Sequence, residues 1–145
     1  MDERIIRYCK EKESFLTLNL TFNLTQPPMT SAGKSVYYFG FYLLILGIVL
    51  TVVPNILLST FFLPETNEVW IRVVGIIVFN IGLYYVFMAP VNQALFYTLT
   101  IYTRALILIW FIVFVLIGWA PAPLIMFGLV DMAGAIWTFI AMRSK

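Results

Sequence analysis

From residue 36 to the end, the chain is built from long apolar runs separated by short polar breaks. The runs cover residues 36–58, 69–89, 101–119 and 121–142. Each holds about twenty residues, and at 1.5 Å of rise per residue that length crosses a hydrocarbon core of about 30 Å. The pattern predicts an all-α, integral-membrane four-helix bundle over residues 35–143. Only three charged residues fall inside the four runs: Arg72, Arg104 and Asp131.

Residues 1–34 follow a different pattern and are expected to form a polar, disordered extension. Arg4, Arg7, Lys10 and Lys12 alternate with acidic neighbours. From Phe15 to Thr25, leucines and Phe22 then alternate with Thr and Asn at a strand period, with no partner strand in view. Pro27 and Pro28 end the segment. Met29 is also a plausible start, because Met-Thr-Ser-Ala-Gly-Lys-Ser leads directly into the first apolar run. Gly33-Lys34-Ser35 ends like a phosphate-binding loop. That pattern needs a glycine five residues earlier, where Pro28 stands, so a basic anchor ahead of a span is the better reading.

Small residues show where helices can approach closely. Gly40 and Gly47 share a face of the first span, Gly75 and Gly82 share a face of the second, and Gly128, Ala135 and Thr138 surround Asp131 at helical spacing. The third span is bulky from Leu106 to Ile112 and is expected to turn much of its girth to lipid. Residues 91–103 are either an interfacial lead-in or the first turns of a longer third helix. The short Trp119–Pro123 connection makes spans three and four antiparallel neighbours. Tyr84, Tyr85, Tyr97 and Tyr102 are read as an aromatic belt.

Basic residues set the expected orientation. Lys34, Arg104 and Arg143 are assigned as cytoplasmic-side anchors, which places both termini in the cytoplasm. The bilayer is the expected partner, joined by a second copy or another membrane protein.

Composition narrows the chemistry. The chain is 62% hydrophobic and 11% charged, with a formal charge of +2, so nucleic acid is not an expected partner. It contains no His and one Cys, Cys9, which rules out His-based catalytic triads, an intrachain disulfide and multi-cysteine metal sites. No metal and no cofactor are expected.

The remaining candidate is an intramembrane polar core of Asp131, Asn80, Arg72 and Tyr84. Arg72, Ile76, Asn80 and Tyr84 are spaced by four, and so share one stripe of the second span. Counted from the outer face, Asn80 and Asp131 both lie about 15–17 Å deep, which allows them to meet. Arg72 lies about 12 Å from Asn80 along the stripe, too far to neutralise Asp131. A buried acid at that depth either fixes helix register through Asn80 or exchanges protons.

The stretches Trp70–Gly75, Gly82–Tyr85, Tyr102–Arg104 and Phe127–Thr138 resemble small bacterial four-span membrane proteins, DoxX-like in shape, over residues 35–143. The resemblance implies a four-helix bundle in a bacterial inner membrane, and it carries over no catalytic residue. Three functions fit the residues: an accessory or structural membrane subunit, a small proton-coupled transporter using Asp131, or a membrane enzyme on a lipid or quinone substrate. The first leads.

Overall fold

The computed structural model of the chain describes residues 3–24 and 28–144. It is all-helical over these residues. The helices are α1 (Glu3–Leu24), α2 (Ser31–Val52), α3 (Pro54–Thr60), α4 (Val69–Met88), α5 (Ala94–Leu116) and α6 (Ile125–Arg143), with single 3₁₀ turns at Ala89–Val91 and Ala122–Leu124. Among the described residues, four helices are long and apolar enough to cross a membrane: α2, α4, α5 and α6, the last extended by the 3₁₀ turn before it.

The alternation that begins at Phe15 gives no strand among the described residues: α1 is helical over Glu3–Leu24, and Thr25 lies outside the described residues. The physical reason is local. A lone strand leaves every backbone N–H and C=O without a partner, whereas a helix satisfies them within one segment.

α2 begins at a capped end. The Thr30 hydroxyl accepts from the Gly33 N–H at 3.1 Å, and the Thr30 N–H donates to the Asn92 side chain at 2.9 Å. Asn92 adopts the left-handed conformation (φ 56°) that lets α4 reverse into α5 through the 3₁₀ turn. At this terminal end of the bundle, Ala32, Val36, Ala89 and Tyr97 form a small buried cluster. Tyr97 Oη donates to the Ala89 carbonyl at 2.7 Å and so ties α5 to the turn before it. At the opposite, loop end, Pro54 starts the short helix α3, and Gly118 (φ 75°) supplies the turn that sends α5 into α6.

The closest pairing is between α2 and α4, which run antiparallel in one constant register. Gly40 faces Val86, Gly47 faces Phe79, Gly75 faces Thr51 and Gly82 faces Leu44. A Cβ on Gly47 would sit 2.6 Å from the Phe79 backbone nitrogen, so only glycine permits this approach. α6 then packs on the other side of α2, and α5 packs along α6. The lateral order is therefore α4–α2–α6–α5. α4 and α5, although consecutive in the chain, meet near the 3₁₀ turn, where the Tyr85 and Phe96 rings lie 5.7 Å apart, and do not pack along the rest of their lengths.

This packing predicts that Gly47→Ala destabilises the fold by about 1–3 kcal/mol through overpacking. The outward-facing Ile48→Ala is expected to stay within about 0.5 kcal/mol. Thermal unfolding of both variants in one detergent checks the difference, and equal midpoints would contradict the glycine register.

Candidate functional site: a buried arginine at the end of an apolar cavity

The helix order determines where the polar residues go. On α4 the glycines at 75 and 82 take the face toward α2. Asn80 is rotated about 140–160° away from them at 100° per residue. It is exposed, and its amide donates back to the Ile76 carbonyl at 2.9 Å. Tyr84 and Ile76 are exposed on the same stripe. The expected Asp131–Asn80 meeting is therefore replaced by an outward-facing Asn80, and Tyr84 also lies outside the bundle core. Arg72, exposed at the loop end, donates Nη1 to the Thr51 carbonyl and more weakly to that of Val52. A cation at these last carbonyls of α2 complements the negative end of the helix.

Arg104 requires the largest correction. It was expected to anchor the start of the third span at the surface. Instead α5 begins at Ala94, so the 91–103 segment contributes the first turns of a long helix and Arg104 lies ten residues inside it. The side chain is 1% exposed. Its Nη1 donates to Thr138 Oγ1 at 3.3 Å. The guanidinium carbon lies 3.7 Å from the centroid of the Phe39 ring and 5.0 Å from that of Tyr85. Such desolvated cation–π contacts contribute about 2 kcal/mol or more. Lys34 and Arg143 remain exposed at the terminal end, with Arg143 over the Phe139 ring at 4.3 Å.

Thr138 is the hub of this cluster. Its hydroxyl donates to the Gly134 carbonyl at 3.0 Å, and Ser35 Oγ lies 3.0 Å from it and 2.8 Å from the Ala32 carbonyl. Ser35, Thr138 and Arg104 are all less than 2% exposed. One short polar chain thus links α2, α6 and α5 inside an otherwise apolar bundle. Gly134 makes room for it, because a Cβ there would sit 2.7 Å from the Phe39 ring and 3.2 Å from Arg104 Nη1. The guanidinium is not fully satisfied: Nε and Nη2 are buried without a hydrogen-bond partner. Each such group costs about 1–3 kcal/mol when it is left dry and unpaired.

Beyond Arg104 the bundle opens into a cavity of about 480 Å³. Leu43, Leu46 and Leu50 of α2, Val74 and Val78 of α4, and Ile107 and Phe111 of α5 contribute to its walls. Its polar groups are Arg104, Asp131, and the Tyr42 and Tyr85 side chains. Asp131 is half-buried on the same face of α6 as Gly134, one turn nearer the loop end. The wall from Phe39 to Leu50 is about 16 Å long, close to half of the ~30 Å hydrocarbon thickness. Val74, Ile81 and Trp110 both line the cavity and are exposed on the outer surface, so they mark a lateral opening between the unpacked α4 and α5.

Of the residues singled out in the sequence, the cavity brings in Asp131 alone from the proposed polar core, together with Arg104 from the proposed anchors. Among the tyrosines, Tyr84 and Tyr102 are exposed, whereas Tyr85 lines the cavity and Tyr97 is buried. Sequence reasoning missed Ser35 and Thr138 as a polar link, reading them as a span start and a small packing residue. The available signal was helical spacing: starting the third helix at Ala94 would have placed Arg104 in the interior.

Comparisons with known protein families, with characterised proteins and with solved structures return no match to this chain.

Thr138→Val keeps the shape and removes the hydroxyl that Arg104 and Ser35 share. It is expected to cost about 1–3 kcal/mol. Denaturant unfolding in mixed micelles checks this, and an unchanged midpoint would remove Thr138 from its place as the link.

Proposed function

We propose that this protein holds one elongated lipophilic molecule inside the membrane. In this reading it is a lipid-binding membrane subunit, more specific than a purely structural bundle. The observation that carries the reading is the shape and chemistry of the cavity. Ligand sites are commonly concave spaces of about 300–1,000 Å³, mostly apolar, with a few placed polar groups. Here about 480 Å³ of apolar-walled space ends at one buried cation and one acid. Its side opening lies between two helices that would otherwise be surrounded by lipid tails, which favours entry from the bilayer.

A proton-coupled transporter using Asp131 needs a polar path to both sides of the membrane. The walls of this cavity are apolar beyond Arg104, Asp131 and the two tyrosines, so that reading has less support. An enzyme on a lipid or quinone substrate needs a group that does chemistry, and the chain has no His to serve as a general base. The cytoplasmic placing of both termini rests on Lys34 and Arg143 at the terminal end, and the inner-membrane location on the resemblance alone. The placing of the termini no longer depends on Arg104 as an anchor.

The test is retention of a lipid through purification. Val78 lies on the cavity wall in the middle of α4, and Val78→Trp fills the space from there. Extraction and mass spectrometry of the wild-type protein are expected to yield close to one lipophilic molecule per chain. Val78→Trp, checked for helix content and thermal unfolding, is expected to retain at most about a tenth of that, a loss of at least about 1.4 kcal/mol in binding. Equal retention by a folded Val78→Trp variant would place the bound lipid elsewhere and sink the proposal.

A further inference from the structure

Arg104 has hydrogen-bonding capacity that its protein neighbours leave unused. Nη1 is taken by Thr138, the Phe39 ring lies against the guanidinium, the Tyr85 hydroxyl is a polar neighbour of it, and Nε and Nη2 have no partner at hydrogen-bond geometry. These two are adjacent on the guanidinium, and their N–H bonds form the side-on edge that grips two oxygens of one carboxylate or phosphate. The residue is 1% exposed and lines the cavity, and the two atoms themselves are buried, so an oxygen that grips them replaces what now covers them. Asp131, the one acid that lines the same cavity, hydrogen-bonds to neither atom.

Charge selects between the candidate oxygen groups. Arg104 and Asp131 together leave the cavity neutral. A phosphate would add up to two negative charges and stays charged near neutral pH, with no populated neutral form in which to cross hydrocarbon through the side opening. A carboxylic acid crosses as the neutral acid. Once inside, it adds no net charge if its proton is shared with Asp131, because two close carboxyl groups in a dry site hold one proton between them.

On the lipophile-binding reading, on which it rests, we infer that the occupant is a single-chain carboxylic acid. Its carboxyl sits on the Nε–Nη2 edge of Arg104, its proton is shared with Asp131, and its tail runs along the α2 and α4 walls toward the loop end. The titratable groups facing the site are Tyr42 from α2, Tyr85 from α4, Arg104 from α5 and Asp131 from α6. Two carboxyl groups close together in a dry site hold one proton between them, so this pair is assigned the linkage. Ionised palmitate arriving from water therefore takes up one proton on binding. Its affinity falls as pH rises, by up to about tenfold per pH unit.

The test is equilibrium binding of labelled palmitate to the full chain in detergent, with hexadecanol and hexadecyl phosphate as competitors. Palmitate is expected to bind at least about tenfold tighter than either. Arg104→Met removes the charge, and Arg104→Lys keeps the charge without the two-toothed edge. Both are expected to weaken palmitate at least about tenfold and hexadecanol by clearly less. Asp131→Asn is expected to keep palmitate binding near pH 6 and to flatten its pH dependence, since the ligand then enters as the anion that balances Arg104.

If hexadecanol competes as well as palmitate and is indifferent to both Arg104 variants, the carboxyl assignment falls while lipophile binding stands. Tighter binding of hexadecyl phosphate overturns the choice of carboxylate over phosphate. An unchanged pH slope in Asp131→Asn overturns the shared proton. If no probe binds and no lipid is retained by the wild type, the underlying reading fails with it. The two Arg104 variants and thermal unfolding of each protein separate loss of the site from loss of the fold.

Discussion

A guanidinium buried in a membrane helix bundle has to be held from several directions, and the Arg104 contacts organise much of what surrounds it. The aromatic rings of Phe39 and Tyr85, the Thr138 hydroxyl, and the missing side chain at Gly134 come from three helices other than α5. Without them a charge would be left in hydrocarbon, where it costs about 2.5–3.5 kcal/mol even on the mildest scales. The arrangement fixes the height of α5 against α6, and through Ser35 it fixes α6 against α2. Two N–H groups remain without partners. A bundle selected for stability alone would more readily carry an apolar side chain here, since replacing a buried charged group by a packed apolar one is often neutral or stabilising.

The second constraint is the glycine register between α2 and α4. Backbones that close leave little room between them, so α4 is committed to α2 along its whole length and cannot also cover α5. The gap between α4 and α5 and the cavity behind it follow from that commitment. The bulky cavity-facing residues of α5, Trp110, Phe111 and Phe114, stop the gap from collapsing. Close packing on one side of α2 and a polar latch on the other thus leave a narrow apolar space in the middle, with its polar end near Arg104.

Much of this was legible in the chain and part was not, for reasons that can be named. The four membrane-length helices followed from apolar runs, because in lipid every backbone group must be satisfied inside its own segment. The small faces at Gly40, Gly47, Gly75, Gly82 and Gly128 followed from spacing. Asn80 did not, because depth along a helix axis says nothing about rotation around it, and the glycines had already claimed the inward face of α4. Arg104 was misplaced because a basic residue near the start of an apolar run reads as an anchor until the run is extended backward. The moderately polar turns from Ala94 to Thr103 hid that extension. Their polarity has a local explanation: Thr98, Thr100 and Thr103 each return a hydroxyl to a carbonyl of their own helix, and Tyr97 reaches the carbonyl of Ala89. The strand-like alternation near the amino end carried no strand, since a period of two is not enough where no partner is in view, and the helix over Glu3–Leu24 was not read from it.

The central claim is that the Nε–Nη2 edge of Arg104 faces a space kept for a ligand and is not left over from imperfect packing. An experimental structure of the protein in lipid nanodiscs tests it most directly. The account predicts elongated density in the cavity, entering between α4 and α5 and ending in contact with that edge, with Asp131 beside it. A collapsed cavity in which the Asp131 carboxylate itself closes on Nε and Nη2 would contradict it.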